Sequence, residues 1–202
     1  MPIIHYTRYT SSQTLNVKAW PPACLRYAIW AVAALASDDH SHQSSEYYKK
    51  ARHLTEGAAL TDPQCRQSAI YRAQAWLHLA MHDIISGRYA LSWTNTSHAI
   101  RLLQVAKVHN LDSTSANSNN TTPQNVSWSE AEERRRAFWF AFCLDRISFI
   151  GQGLPSLIDE RDVSIFATFS YNSKKETDSR RRYASTYRHR TRHTNLPPRS
   201  LL

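Results

Sequence analysis

Apolar residues recur at helical spacing along most of the chain. Residues 1–18 show no clear period and are expected to form a loose lead-in. From 19 onward the pattern predicts helices. Pro21–Pro22 suit a first turn, and Leu25, Ile29, Val32 and Leu35 then trace roughly one face. The polar run Ser37–Ser45 ends that helix. A second helix carries Tyr47, Ala51, Leu54 and Ala58, and Asp62–Pro63 breaks it, with Asp62 as a cap for the next. The third has Ile70, Ala73, Leu77, Met81 and Ile84 on one face, up to the Ser86–Gly87 punctuation. The fourth has Tyr89, Trp93, Ile100, Leu103 and Ala106. So short a turn between the third and fourth helices predicts an αα-hairpin. Residues 112–126 are polar, aperiodic and expected to be a surface loop.

The fifth helix begins in W-S-E-A-E-E-R-R-R. Ser127 and Glu130 make a capping box, and Glu130–Arg134 and Glu132–Arg136 are i,i+4 pairs in the favourable order. Eight apolar residues follow, Ala137 to Leu144. Phe138, Trp139, Phe140, Phe142, Leu144 and Ile147 cover the whole circumference, which predicts burial on all sides. Gly151 and Gly153 end the helix and Pro155 prevents its return. The expected fold is all-α: an irregular domain of at least five helices with αα-hairpins over 19–166, followed by a disordered basic tail over 167–202.

Composition sharpens this picture. Only 4 of the 202 residues are glycine, and 42% are hydrophobic, enough for one helical core. No apolar run reaches the roughly 20 residues of a membrane span. Cys24, Cys65 and Cys143 are too far apart for a zinc site or a disulfide framework. The net charge of +9 is uneven. Residues 171–202 hold nine Lys/Arg against two Asp/Glu, and the other 170 residues hold sixteen against fourteen. The basic character belongs to the tail.

Candidate chemistry is sparse. Gly151-Gln-Gly153-Leu-Pro155 closes a helix, whereas a phosphate-binding loop opens one. His78 and His82 are four apart and could share a metal, but the spacing lacks a third ligand, so two polar-face histidines are the expected reading. Cys143 reads as apolar filling. Asp145–Arg146 interrupts a buried helix, so each needs a partner from elsewhere. Arg72 and Arg101 are the candidates for Asp145. In the tail, Arg180, Arg181, Arg182, Arg188, Arg190 and Arg192 suit a nuclear import signal or loose phosphate contact, or belong to an inert end.

Three stretches in this order carry a resemblance: A-I-R-L-L-Q-V-A-K-V-H-N-L-D (99–112), W-S-E-A-E-E-R-R-R-A-F-W-F-A-F-C-L-D-R (128–146) and G-Q-G-L-P-S-L-I-D-E-R-D-V (151–163). Together they resemble the middle homology region of fungal-specific transcription factors, over about 20–165. The resemblance implies an all-α regulatory domain in the nucleus. Its motif positions here are Trp128, Glu132, Arg134, Arg135, Arg136, Phe138, Trp139, Asp145, Arg146, Gly153, Pro155 and Asp162, expected to be structural. In that family DNA is contacted by a separate N-terminal binuclear zinc cluster of six close cysteines. This sequence holds 3 cysteines, so autonomous sequence-specific DNA binding is not expected. From Phe166 the pattern turns into unpatterned basic sequence, as in a truncated or misjoined gene product.

The expected function is a transcription-regulator module: not an enzyme, with no cofactor. Its expected partners are other transcription proteins, a small-molecule effector or further copies of itself, with nucleic acid met only non-specifically through the tail and no membrane. Three readings compete: a helical-repeat-like adaptor suggested by the 77–99 hairpin, a non-functional fragment of a larger factor, and a metal enzyme using His78 and His82.

Overall fold

A computed structural model describes residues 3–4, 9–10, 20–61, 66–112 and 127–165. Five α-helices run Ala23–Leu35 (α1), Ser44–Thr61 (α2), Arg66–Ile85 (α3), Tyr89–Val105 (α4) and Trp128–Gln152 (α5). Short 3-10 turns lie at Ser41–Gln43, Val108–Asn110 and Glu160–Asp162. No strand occurs among the described residues. The fold is all-α, as the periodicity predicts. The Asp62–Pro63 break and residues 113–126 and 166–202 lie outside the described residues.

α1 packs against both α2 and α3, and α3 packs against every other helix. The centre of the domain is therefore α3. Ala73, Ala75, Trp76, Leu77, Leu79 and Ala80 are all buried, so it is covered nearly all round. α1 and α2 meet through small residues. Ala28, Ala31 and Ala34 are buried on α1, with Ala51 on α2. Without bulky side chains the two backbones approach closely enough for Ser44 Oγ to donate to the Ala31 carbonyl at 2.8 Å. The α3–α4 turn is the expected hairpin. Gly87 takes the left-handed conformation at φ 73°. Its N–H donates to the Ile84 carbonyl at 3.0 Å and that of Arg88 to the Asp83 carbonyl at 2.7 Å. This paired arrangement is the Schellman stop, and it closes the carbonyls left open at the end of α3.

Several expected faces are rotated. On α1 the buried line is Cys24, Leu25, Ala28, Ala31 and Ala34, while Ile29, Val32 and Leu35 are only partly buried. On α2 it is Ser44, Tyr48, Ala51 and Thr55, with Leu54 exposed. On α4 the first half of the buried face is polar, namely Ser92, Asn95 and Thr96, and Tyr89 lies 54% exposed. Alanine-rich helices offer several faces of similar hydrophobicity, and close backbone approach selects the one with the smallest side chains. Of the lead-in, residues 3–4 and 9–10 are described; Ile3 is buried and Ile4 packs against the core.

The largest correction concerns α5. Phe138 is 2% exposed, but Trp139, Phe140 and Phe142 are only partly buried. Cys143 is exposed, so it is not core filling. Ile147, Phe149 and Ile150 are 59%, 51% and 81% exposed. The helix buries its N-terminal half and leaves its C-terminal half uncovered on one side. Gly151 lies within the helix, and Gly153 alone ends it, at φ 66° with its N–H donating to the Phe149 carbonyl at 3.0 Å.

Candidate functional site

The three stretches of the resemblance converge on α5. At its start, Ser127 Oγ accepts from the Glu130 N–H at 3.3 Å. Glu130 turns its carboxylate forward to Arg134, so only half of the expected capping box is used. Arg136 Nε donates to Glu132 Oε1 at 2.9 Å, the expected i,i+4 pair. These charges are not a solvated face, since Glu132, Glu133, Arg134 and Arg136 are all buried. Arg135 reaches back in sequence and donates to both oxygens of Asp112, at 2.9 and 2.6 Å. That bidentate pairing is the main cause holding the Arg135 guanidinium above its ordinary range.

Asp112 is fixed from a second side. Its N–H donates to the Ser164 carbonyl at 3.1 Å, and the Ser164 N–H donates to the His109 carbonyl at 2.8 Å. Burial lowers the His109 pKa, partly opposed by the nearby Asp162 carboxylate. The end of the first stretch and Ser164, the residue just past the third, are thus laced together beside Arg135.

Asp145 and Arg146 find partners in the loop that follows their own helix, not in Arg72 or Arg101. Asp145 is 4% exposed. Its carboxylate accepts from Ser156 Oγ at 2.7 Å and from the N–H groups of Leu157 and Ile158 at 3.1 to 3.3 Å. Arg146 donates to Ser156 Oγ and to the Ile158 carbonyl, each at 2.7 Å, and lies over the Phe142 ring. The two neighbouring charges satisfy the two polarities of one short segment, Ser156 to Ile158: the acid takes its N–H groups and the base its carbonyl. Gly153 supplies the left-handed turn that aims the loop back. Pro155 lies exposed in that loop, and Asp162 in the following 3-10 turn. Trp128 opens α5, and Phe138 and Trp139 pack edge to face at 5.8 Å.

A second polar cluster lies between α2, α3 and α4, and nothing in the periodicity announces it. Asp83 is fully buried. It accepts from Tyr48 Oη at 3.0 Å and Asn95 Nδ2 at 2.7 Å, and Arg88 Nη2 lies 2.7 Å from its second oxygen. The same Arg88 nitrogen meets His82 Nδ1 at 2.9 Å, and His82 Nε2 lies 2.9 Å from Ser44 Oγ. Arginine only donates, so Nδ1 must accept and Nε2 must carry the hydrogen. The bonds then run in one direction, from Arg88 through His82 and Ser44 to the Ala31 carbonyl. The legible signal was Asp83 itself, a carboxylate set between Met81 and Ile84.

His82 is therefore a core residue, not a polar-face histidine, and both its nitrogens are committed. His78 is bonded through Nδ1 to the Gln74 carbonyl at 2.7 Å. No group of three His, Cys, Asp or Glu able to hold a metal occurs among the described residues. Burial, reinforced by the facing Arg88, holds the His82 imidazole down at about 4. Burial raises the Asp83 carboxyl, against the donors around it. The unfolded chain protonates His82 near pH 6.5. The stability contributed by its neutral form is thus complete above pH 6.5 and is lost as pH falls toward 4. Asp83 opposes this, because its raised pKa favours proton uptake in the folded state. Urea unfolding is expected to show stability falling by up to about 3 kcal/mol between pH 6.5 and 4, with a visibly flatter slope in His82→Gln. Equal slopes in the two proteins would remove His82 as the cause.

These features define a class: an all-α scaffold whose motif residues brace one helix and its return loop. Residues 1–196 match the fungal specific transcription factor domain, and the chain belongs to that family. It is 34% identical over 166 residues to a pigment biosynthesis transcriptional activator, pigB, of Monascus ruber, covering 81% of this chain and 30% of that protein. An ascochitine biosynthesis cluster transcriptional regulator of Didymella fabae is 27% identical over 160 residues, covering 79% of this chain and 27% of its own length. Transcription factor tazR of Aspergillus terreus is 30% identical over 163 residues, covering 80% and 25%. The chain thus matches less than a third of the length of these relatives. No solved structure matches it. No helix among the described residues is long and apolar enough to cross a membrane.

Proposed function

We infer that the chain is a regulatory module of a fungal transcription regulator, working in the nucleus on genes for small-molecule biosynthesis. The observation that carries this reading is the family match over residues 1–196, shared with regulators of biosynthetic genes. In this reading the motif residues Asp112, Arg135, Asp145 and Arg146 brace the scaffold. Its partners are then other transcription proteins or a small-molecule effector. Nucleic acid is met only through the arginines of the tail, Arg180–Arg182, Arg188, Arg190 and Arg192, which lie outside the described residues. Such contact is salt-sensitive and indifferent to sequence. Sequence-selective binding that survived deletion of 171–202 would contradict this.

The test is a tethering assay. The chain is fused to an unrelated DNA-binding domain in a fungal host with a reporter downstream. Reporter output is expected to rise or fall against the DNA-binding domain alone. A fusion that is abundant and nuclear yet leaves the reporter unchanged would sink the proposal.

A further inference from the structure

We propose that Arg26, lying over the rings of Trp20 and Trp30, is the receptor for a carboxylate carried next to an aromatic ring. In a free acid this gives the effector of the proposed function a chemical class, and to that extent it rests on that reading. The guanidinium carbon is 4.8 Å from the centre of the Trp20 ring and 5.9 Å from that of Trp30. Arg26 and Trp30 are one turn apart on α1, and Trp20 lies just ahead of the helix, the direction in which helical side chains lean. A guanidinium laid over rings offers its donors in its own plane. A carboxylate meets that edge with two parallel bonds.

The donors at this place are unsatisfied. Arg26 Nε and Trp20 Nε1 are both buried without a hydrogen-bond partner. Each can only donate, so the group that satisfies them is an acceptor. Arg52, Arg88, Arg135 and Arg136 each meet a carboxylate. Arg26 meets none among the described residues. The neighbouring sequence has none to give, since residues 1–37 hold no Asp or Glu. On α2, Glu46 is taken by Lys50 at 2.6 Å. α1 also begins without a side-chain cap and without an acid in its first turn, so its open N–H groups add positive potential at the same end. A cation there is unfavourable by itself, and a bound anion offsets both charges.

The rings supply the second half of the recognition. Tyr27 packs edge to face on Trp30 at 5.2 Å, and Trp30 on Tyr47 at 5.9 Å. Trp30 is 36% exposed, so this aromatic shelf is open to an incoming ring beside the guanidinium. A ligand with its carboxylate on Arg26 and its ring on Trp30 uses both features at once. A free aromatic acid and an acidic residue next to Phe on a partner protein share this chemistry, so the test carries both.

The full chain is titrated with benzoate and, separately, with a capped Glu-Phe dipeptide. Binding is read by calorimetry and by the Trp20 indole N–H resonance, assigned by its absence from Trp20→Phe. At least one probe is expected to bind with a dissociation constant on the order of 0.1–1 mM, to move that resonance, and to weaken as salt is added. Tighter benzoate assigns the site to a free acid, and a tighter dipeptide to a protein partner. Arg26→Met should weaken binding about tenfold or more with unchanged helical content, since its stem still covers the rings. Arg26→Lys keeps the charge but not the planar fork, and should weaken it about threefold. If neither probe binds, or if Arg26→Met binds as tightly as the wild type, the site is overturned. Neutral benzamide binding as well as benzoate overturns it too. The reporter assay is independent, so a chain that still moves the reporter while failing these titrations refutes the site alone.

Discussion

Replacing Asp145 with Ala is expected to destabilise the domain by about 3–5 kcal/mol, the range for removing one member of a buried, bonded charge set. The carboxylate is 4% exposed and accepts from Ser156 Oγ and from the Leu157 and Ile158 N–H groups. Its loss leaves these donors without their acceptor and Arg146 with Glu160, 3.5 Å away, as its facing carboxylate. The loop from Gly153 to Ile158 then keeps the Arg146 bonds to Ser156 and Ile158 and a long bond from Gln104 Nε2 to the Leu157 carbonyl. Ile158, itself 5% exposed, would leave the core with the loop. Asp145→Asn keeps one acceptor oxygen and is expected to lose less than half as much. Urea unfolding of both variants, with amide hydrogen exchange at Leu157 and Ile158, checks this. Unchanged protection of those two amides in Asp145→Ala would show that the loop is held some other way.

Phe138→Ala is expected to cost a similar 3–5 kcal/mol, because it opens a cavity that neighbouring Ala137 and Ala141 are too small to fill. Phe138 is 2% exposed, and both alanines are fully buried beside it. Trp139 and Phe142 are partly buried and pack edge to face on each other at 5.5 Å. Their alanine variants keep part of the surface already wet and should lose clearly less than Phe138→Ala. Thermal or urea unfolding of the three single variants ranks them directly. A Trp139→Ala loss equal to that of Phe138→Ala would show that the buried side of α5 has been placed one residue out.

The aromatic run of α5 reads as uniformly buried because Phe, Trp, Ile and Leu there cover every direction. Yet the line through Ile147 and Ile150 faces outward. Hydrophobicity records what a helix can bury, and the number of neighbours decides what it does bury. The reverse error occurs on α4. Ser92, Asn95 and Thr96 look like a solvated face but are buried, because Asn95 is required by Asp83 on the facing helix. A period in apolar residues has no means of marking a face that is buried through hydrogen bonds.

Sequence alone determined the all-α class, the hairpin stop at Gly87, the Ser127 cap, the Glu130–Arg134 and Glu132–Arg136 pairs, and the need of Asp145 and Arg146 for partners outside their own turn. Each of these rests on residues within about one helical turn, where backbone geometry sets the distances before any packing occurs. The tertiary structure decided which partners were chosen. Asp145 bonds residues 11 to 13 positions on, Arg135 reaches 23 positions back to Asp112, and Tyr48 reaches 35 positions forward to Asp83. Arg72 and Arg101 carry the right charge for Asp145 as well as any local group does. What excludes them is the path of the chain after Gly153, which delivers two N–H groups and a hydroxyl to the carboxylate at the moment the helix ends.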